Sequence, residues 1–192
     1  MFVAPEIGRK EHLKPINGQS VCSYAKKPFG WKTMSYNGCV ILAIYNAILR
    51  GGREITVEKV HALLHRPWKG RLLGVRTYEI PRCLKALNIP FRRLCSVGEM
   101  ESLMEPGDIA IIMQWNGFLP YCHFTMGEEH LSVTEIPNPF EGAHAMAVER
   151  LKTGGWRVYN RYSNRGHPYD YTHLEDFMES RACFMAGFLL LL

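Results

Sequence analysis

Features that most readily betray a function are scarce in this chain. No CxxC pair occurs; the six cysteines, Cys22, Cys39, Cys83, Cys95, Cys122 and Cys183, are dispersed through 192 residues, which argues against a zinc ribbon or a disulfide scaffold and reads as reduced thiols. No apolar run approaches the ~20 residues that a bilayer span needs; the longest, 40–49 and 182–192, fall well short. The N-terminus lacks the apolar h-region of a signal peptide, so the expected location is cytoplasmic, with no membrane partner. Lys and Arg number 23 against 18 Asp and Glu, yet they form no stripe, so no nucleic-acid partner is expected either. Glutamine is nearly missing, with Gln19 and Gln114 alone. Repeats and low-complexity tracts are lacking.

What is present is the material for one folded domain: 47% hydrophobic, 11% aromatic and 21% charged residues in 22.0 kDa, enough to bury a core. Residues 1–34 carry Pro5, Pro15, Gly18, Pro28 and Gly30 without periodicity and read as an irregular N-terminal arm. Residues 35–192 read as a single domain. The stretch 40–49 is apolar at every helical phase and ends at Gly51-Gly52, which predicts a buried helix. Amphipathic helices are predicted over 57–65 with Thr56 as cap, over 77–88 with Thr77 as cap, and over 97–104 with Ser96 as cap. After Pro106-Gly107-Asp108 the pattern predicts strands at 109–114, 121–126, 143–151, 156–162 and 184–191, with a polar helix near 173–179. Helices first and a mainly antiparallel sheet afterwards make the fold class α+β rather than a βαβ alternation.

Cys39 stands where the arm meets the buried helix, preceded by Asn37-Gly38. In a first helical turn, unpaired N–H groups and the positive dipole end favour thiolate, so Cys39 is a candidate nucleophile. A lone cysteine there is more often a small core residue, and the reading therefore turns on a base. His144, in Ala143-His144-Ala145-Met146-Ala147-Val148, sits in a strand of small and apolar residues where an imidazole needs a polar partner. A loop of about five residues centred on Lys152 would set Asn160 opposite His144, Val158 opposite Met146 and Trp156 opposite Val148. Asn160 could then accept the Nδ1–H and leave Nε2 to take a thiol proton. A tighter turn on Gly154-Gly155 would bring His144 opposite residues near 165 instead.

Tyr36-Asn37-Gly38-Cys39 running into the apolar helix, Gly142-Ala143-His144-Ala145-Met146-Ala147-Val148, and Trp156-Arg157-Val158-Tyr159-Asn160 together resemble the papain-like cysteine peptidases. The likeness is to small bacterial members related to the bacteriocin-leader-processing (double-glycine) peptidases, and it spans about residues 35–192. It implies a papain-like fold whose central helix opens at the nucleophile, a Cys39–His144–Asn160 triad, and an aromatic ring, here Tyr162, shielding the Asn–His hydrogen bond. It implies no cofactor. Family members commonly carry an oxyanion-donating Gln six residues before the nucleophile; here that place is Thr33. Gln19, from the arm, and Asn37, two residues before the thiol, are the candidate donors, helped by the Cys39 N–H.

Other patterns carry less. His61 and His65 have the four-residue spacing of a zinc pair, but Ala62 stands where a metalloprotease needs Glu and no third ligand is evident, so no metal is expected. Cys122 and His123 point to opposite faces of their strand and cannot act together. Loops 127–142 and 161–171 are placed to border a cleft. The run Phe188 to Leu192 is most simply a final core strand. The expected activity is a cysteine peptidase, a thiol hydrolase acting on a peptide or protein substrate through a thioester. An acyltransferase or deamidase using the same thiol, and a binding module with an idle site, are the alternatives.

Overall fold

The computed structural model describes residues 14–65, 75–115, 143–178 and 183–192. The strand expected at 121–126, the loop 127–142 and the Cys122–His123 pair lie outside the described residues. A two-residue hairpin, β1 (Pro28–Phe29) and β2 (Lys32–Thr33), leads into the short helix α1 (Met34–Asn37) and then α2 (Cys39–Arg50), α3 (Val57–Leu64) and α4 (Glu79–Ala86). There follow β3 (Phe91–Leu94), α5 (Val97–Leu103), β4 (Ile109–Trp115), β5 (Ala143–Arg150), β6 (Trp156–Tyr159), β7 (Tyr169–Tyr171), α6 (Glu175–Met178) and β8 (Cys183–Leu190).

The fold is α+β, with one antiparallel six-stranded sheet in the order β3-β8-β4-β5-β6-β7. Strand β8 enters between β3 and β4, so Phe188, Leu189 and Leu190 are core while Leu191 and Leu192 are exposed. Alternation along the strands divides the interior in two. Ile109, Ile111 and Met113 of β4, with Ala145 and Ala147 of β5, share one core with α2, α3 and α4. Ala110 and Ile112, with Met146 and Val148, share the other with Met100 of α5, Leu174 and Phe177.

Every residue of α2 from Cys39 to Ile48 is buried, as expected of a helix apolar at all phases. Its one amide side chain, Asn46, is wholly buried and pairs with the arm. Its Oδ1 accepts from Ile16 N at 2.8 Å and its Nδ2 donates to Ile16 O at 2.7 Å, while Tyr45 OH donates to Lys14 O at 3.0 Å. A buried carboxamide needs such partners, and here they fasten residues 14–16 to the helix. At the far end of α2, Arg50 donates twice to Glu149 of β5, at 2.8 and 3.0 Å, and Tyr159 OH of β6 donates to the same carboxylate at 2.7 Å.

Thr56 and Ser96 cap α3 and α5, accepting from Lys59 N and Glu99 N. Thr77 does not cap; α4 begins at Glu79, whose carboxylate turns back to accept from Arg76 N at 3.0 Å. The polar helix is a single turn, and strand β6 stops at Tyr159 because Asn160 adopts φ of 57°, outside the extended region. No helix of the described residues is long and apolar enough to cross a membrane.

Candidate active site

Cys39 opens α2, as expected, but not at a free helix end. Gly38 joins α1 to α2 in right-handed helical geometry, with Gly38 N donating to Met34 O at 2.8 Å. Cys39 is 7% exposed. Burial pushes its pKa up, against the opposing pull of the backbone amides of Ala145, Val40 and Cys39 itself. The expectation of a thiol acidified by a helix dipole is therefore corrected. Desolvation outweighs the amides, and the resting group is a thiol.

Ala145, whose amide favours the thiolate, is one residue beyond His144 on β5. Ala145 and Ala147 belong to the α2 side of the sheet, Met146 and Val148 to the other, and His144, opposite Gln114, has the phase of the latter. Its ring is half-buried, with Nε2 at 2.6 Å from the backbone carbonyl oxygen of Asn160. Because a carbonyl only accepts, Nε2 carries the proton, and the neutral ring keeps its lone pair on Nδ1. Burial lowers the His144 pKa to about 4; the bond to Asn160 opposes this and the Arg161 cation adds to it. At neutral pH, thiol and imidazole are both uncharged. No hydrogen bond joins them among the described residues.

Asn160 meets His144 through its main chain rather than its side chain. The turn differs from both geometries anticipated: Leu151 N donates to Gly155 O at 3.0 Å, Gly154 and Gly155 have positive φ, and Val148 pairs with Val158 instead of Trp156. The register has slipped by two residues, which preserves the faces but carries Asn160 past the point opposite His144. Its carboxamide turns to the arm instead. Oδ1 accepts from Gln19 N at 3.2 Å and Nδ2 donates to Gln19 Oε1 at 3.3 Å, while the Asn160 backbone N–H donates to Asn17 Oδ1 at 2.8 Å.

Gln19 does reach this region from the arm, and its amide hydrogens go to Ser35 O at 3.1 Å and Tyr36 O at 3.4 Å. It thus bridges the segment before Cys39 to Asn160, with both N–H groups spent on carbonyls. Asn37 is buried in α1, two residues before the thiol. Tyr162 packs edge-on against Tyr169 at 5.0 Å and lies under the Arg161 guanidinium at 4.9 Å. The sequence pattern identified Gln19 but not Asn17, whose only signal is a position two residues before it in a polar turn.

The arm holds its path through Gly18, which has φ of 68° and lies against Arg165 O, where a Cβ would come within 2.6 Å. Ser20 N then donates to Ser163 O at 2.8 Å. His61 and His65 stack at 4.9 Å and serve the hairpin: His61 Nε2 lies at 2.8 Å from Pro28 O, and Gly30 N donates to His65 Nδ1 at 3.4 Å. Among the described residues, no cluster of three or more His, Cys, Asp or Glu could hold a metal ion.

No family model matches the chain, and no curated protein matches it. Among solved structures it is similar to the peptidase domain of Streptococcus ComA, a bifunctional ABC transporter of a quorum-sensing pathway. The TM-score is 0.47 at 10% identity, over 84% of this chain and 96% of that one.

Proposed function

We propose that the chain is a cysteine peptidase of papain-like architecture, in which Cys39 is the nucleophile, His144 the base and Asn160 the group that orients the base. The observation carrying this reading is a buried thiol at the start of a buried helix, whose acidity is influenced by the backbone amide next to a histidine, and that histidine's Nε2 is tied to a main-chain carbonyl. Such an imidazole keeps Nδ1 as its basic atom; because alternation along β5 turns His144 away from the face that carries Cys39, the ring has to reach the thiol around the end of the strand. Catalytic contacts often shorten only when substrate is bound.

In the reaction, Cys39 Sγ attacks the substrate carbonyl carbon as its proton passes to His144 Nδ1. The tetrahedral oxyanion collapses to a thioester, and the imidazolium returns the proton to the leaving amine. Water, activated by the same nitrogen, then releases the acid and restores the thiol. Since the resting pair is uncharged, the proton moves with the attack rather than before it. The candidate oxyanion donors are the Cys39 N–H and the side-chain amides of Asn37 and Gln19. An amine in place of water would make the same site an acyltransferase.

The test is acylation by an activated p-nitrophenyl ester, read by mass spectrometry of the Cys39 peptide. A Cys39 adduct that is absent in Cys39→Ser, and forms about 10²- to 10⁴-fold more slowly in His144→Ala, is the expected result. Equal rates in the parent and His144→Ala would leave an idle thiol in a binding module.

A further inference from the structure

We infer that Asn160 orients His144 through its backbone carbonyl, and that Asn17 and Gln19 of the arm are the positioning residues that hold that carbonyl in place. The inference deepens the reading above and rests on His144 being the base. Three facts converge on it. Asn160 sits at φ of 57°, a left-handed conformation that asparagine tolerates and glycine prefers. The residue is wholly buried, and its backbone N–H and both polar atoms of its carboxamide are bonded to Asn17 and Gln19. The carbonyl is the group that reaches the histidine, at 2.6 Å.

The chemistry follows from the direction of each bond. An Asn side chain offers either an acceptor or a donor to an imidazole, so its orientation would have to select the tautomer. A main-chain carbonyl can only accept and therefore fixes the Nε2–H form, provided its peptide plane is held. Asn17 Oδ1 secures the N–H side of Asn160, and Gln19 grips the carboxamide from two directions. Gln19 also binds the Ser35 and Tyr36 carbonyls, just upstream of Cys39. The arm thereby sets the base relative to the segment that carries the nucleophile.

Two substitutions at one position separate main chain from side chain. Asn160→Gly and Asn160→Ala both delete the carboxamide, but only glycine takes the left-handed conformation without strain. The readouts are the ¹⁵N ring shifts of His144 in histidine-labelled protein, assigned by the signal missing from His144→Gln, and the acylation rate at Cys39. If the inference is right, Asn160→Gly, which keeps the carbonyl but loses the Gln19 grip, retains the Nε2–H tautomer with a rate lowered on the order of tenfold, while Asn160→Ala loses the tautomer. Asn17→Ala, which strands the Asn160 N–H, lowers the rate on the order of tenfold, and Asn17→Asp, retaining an oxygen acceptor, restores the tautomer.

Loss of the Nε2–H form in Asn160→Gly and Asn160→Ala alike, with Asn17→Ala unchanged, would overturn the inference and return the role to the side chain. Acylation that ignores His144 would instead defeat the peptidase reading while leaving the tautomer result to be judged by itself. Thermal melts of each variant show that the comparison is made on folded protein.

Discussion

Acid should weaken this fold through His144. The ring is protonated at about 4 in the folded protein, against an ordinary value of 6.5, because burial disfavours the cation and Arg161 adds to that effect. The unfolded chain therefore binds a proton that the folded chain refuses. Stability from this source is fully present above 6.5 and is lost as pH falls toward 4, the reverse of a histidine with a carboxylate partner. At about 1.4 kcal/mol per pH unit, the loss reaches about 2.5 kcal/mol by pH 4.5. His144→Gln removes the titration but keeps a neutral amide that can donate to the Asn160 carbonyl. Urea unfolding of the two proteins between pH 7.5 and 4.5 gives the difference. The Glu149 and Asp170 carboxylates also cost stability in acid, but both proteins contain them, so the comparison isolates position 144. The stability gap between parent and variant should shift by about 2.5 kcal/mol in the variant's favour on going to pH 4.5. Parallel curves would refute the reasoning, since a histidine that titrates normally in the fold adds no pH dependence.

Acylation of Cys39 should keep its rate down to pH near 5 and fall with an acid limb near 4, because His144 must be unprotonated to take the thiol proton and its pKa is lowered to about 4; a limb near 6.5 in a pH–rate profile would contradict the buried geometry. Glu149→Ala leaves the Arg50 guanidinium and the Tyr159 hydroxyl without their shared acceptor. Arg50 being partly exposed, the cost should be about 1–3 kcal/mol, read as a lower melting temperature. Ile111→Ala empties a fully buried site between the sheet and α2 and should cost about 2–5 kcal/mol in urea unfolding.

The parts of the fold legible in the sequence are those whose signal is local. Helix α2 declares itself by being apolar at every phase, and Thr56 and Ser96 by standing three residues before a backbone N–H that needs an acceptor. Strands β3 and β7 carry no such signal. Phe91-Arg92-Arg93-Leu94 exposes two arginines at a sheet edge, where charge blunts unwanted pairing and erases the alternation that marks a half-buried strand. Tyr169-Asp170-Tyr171 is a strand through its pairing with β6, across which Arg157 donates to Asp170 at 2.6 and 2.7 Å, a long-range partnership with no trace in a short window. The start of α4 is offset in the same way: Thr77 has the right chemistry for a cap, but Tyr78 holds the cap position and Glu79 accepts from Arg76 N.

At the candidate site, the sequence singles out residues but not their geometry. Cys39, His144 and Asn160 stand out because a thiol, an imidazole and a carboxamide occupy places where composition alone would put apolar residues. Which atom of Asn160 meets His144 depends on one turn. The slip of two residues at Gly154-Gly155 keeps every side chain on its face, so no hydrophobic pattern registers it. It nevertheless replaces the carboxamide of Asn160 by its carbonyl as the partner of His144. The polar residues then freed or required at that turn are satisfied by the arm, and the same logic governs Asn46, an amide in an otherwise apolar helix that pairs with Ile16. A buried carboxamide in an apolar stretch obliges the fold to bring it backbone partners. Both such residues, Asn46 and Asn160, draw theirs from residues 16–19, and that shared source is why an irregular segment with no pattern of its own lies against the catalytic candidates.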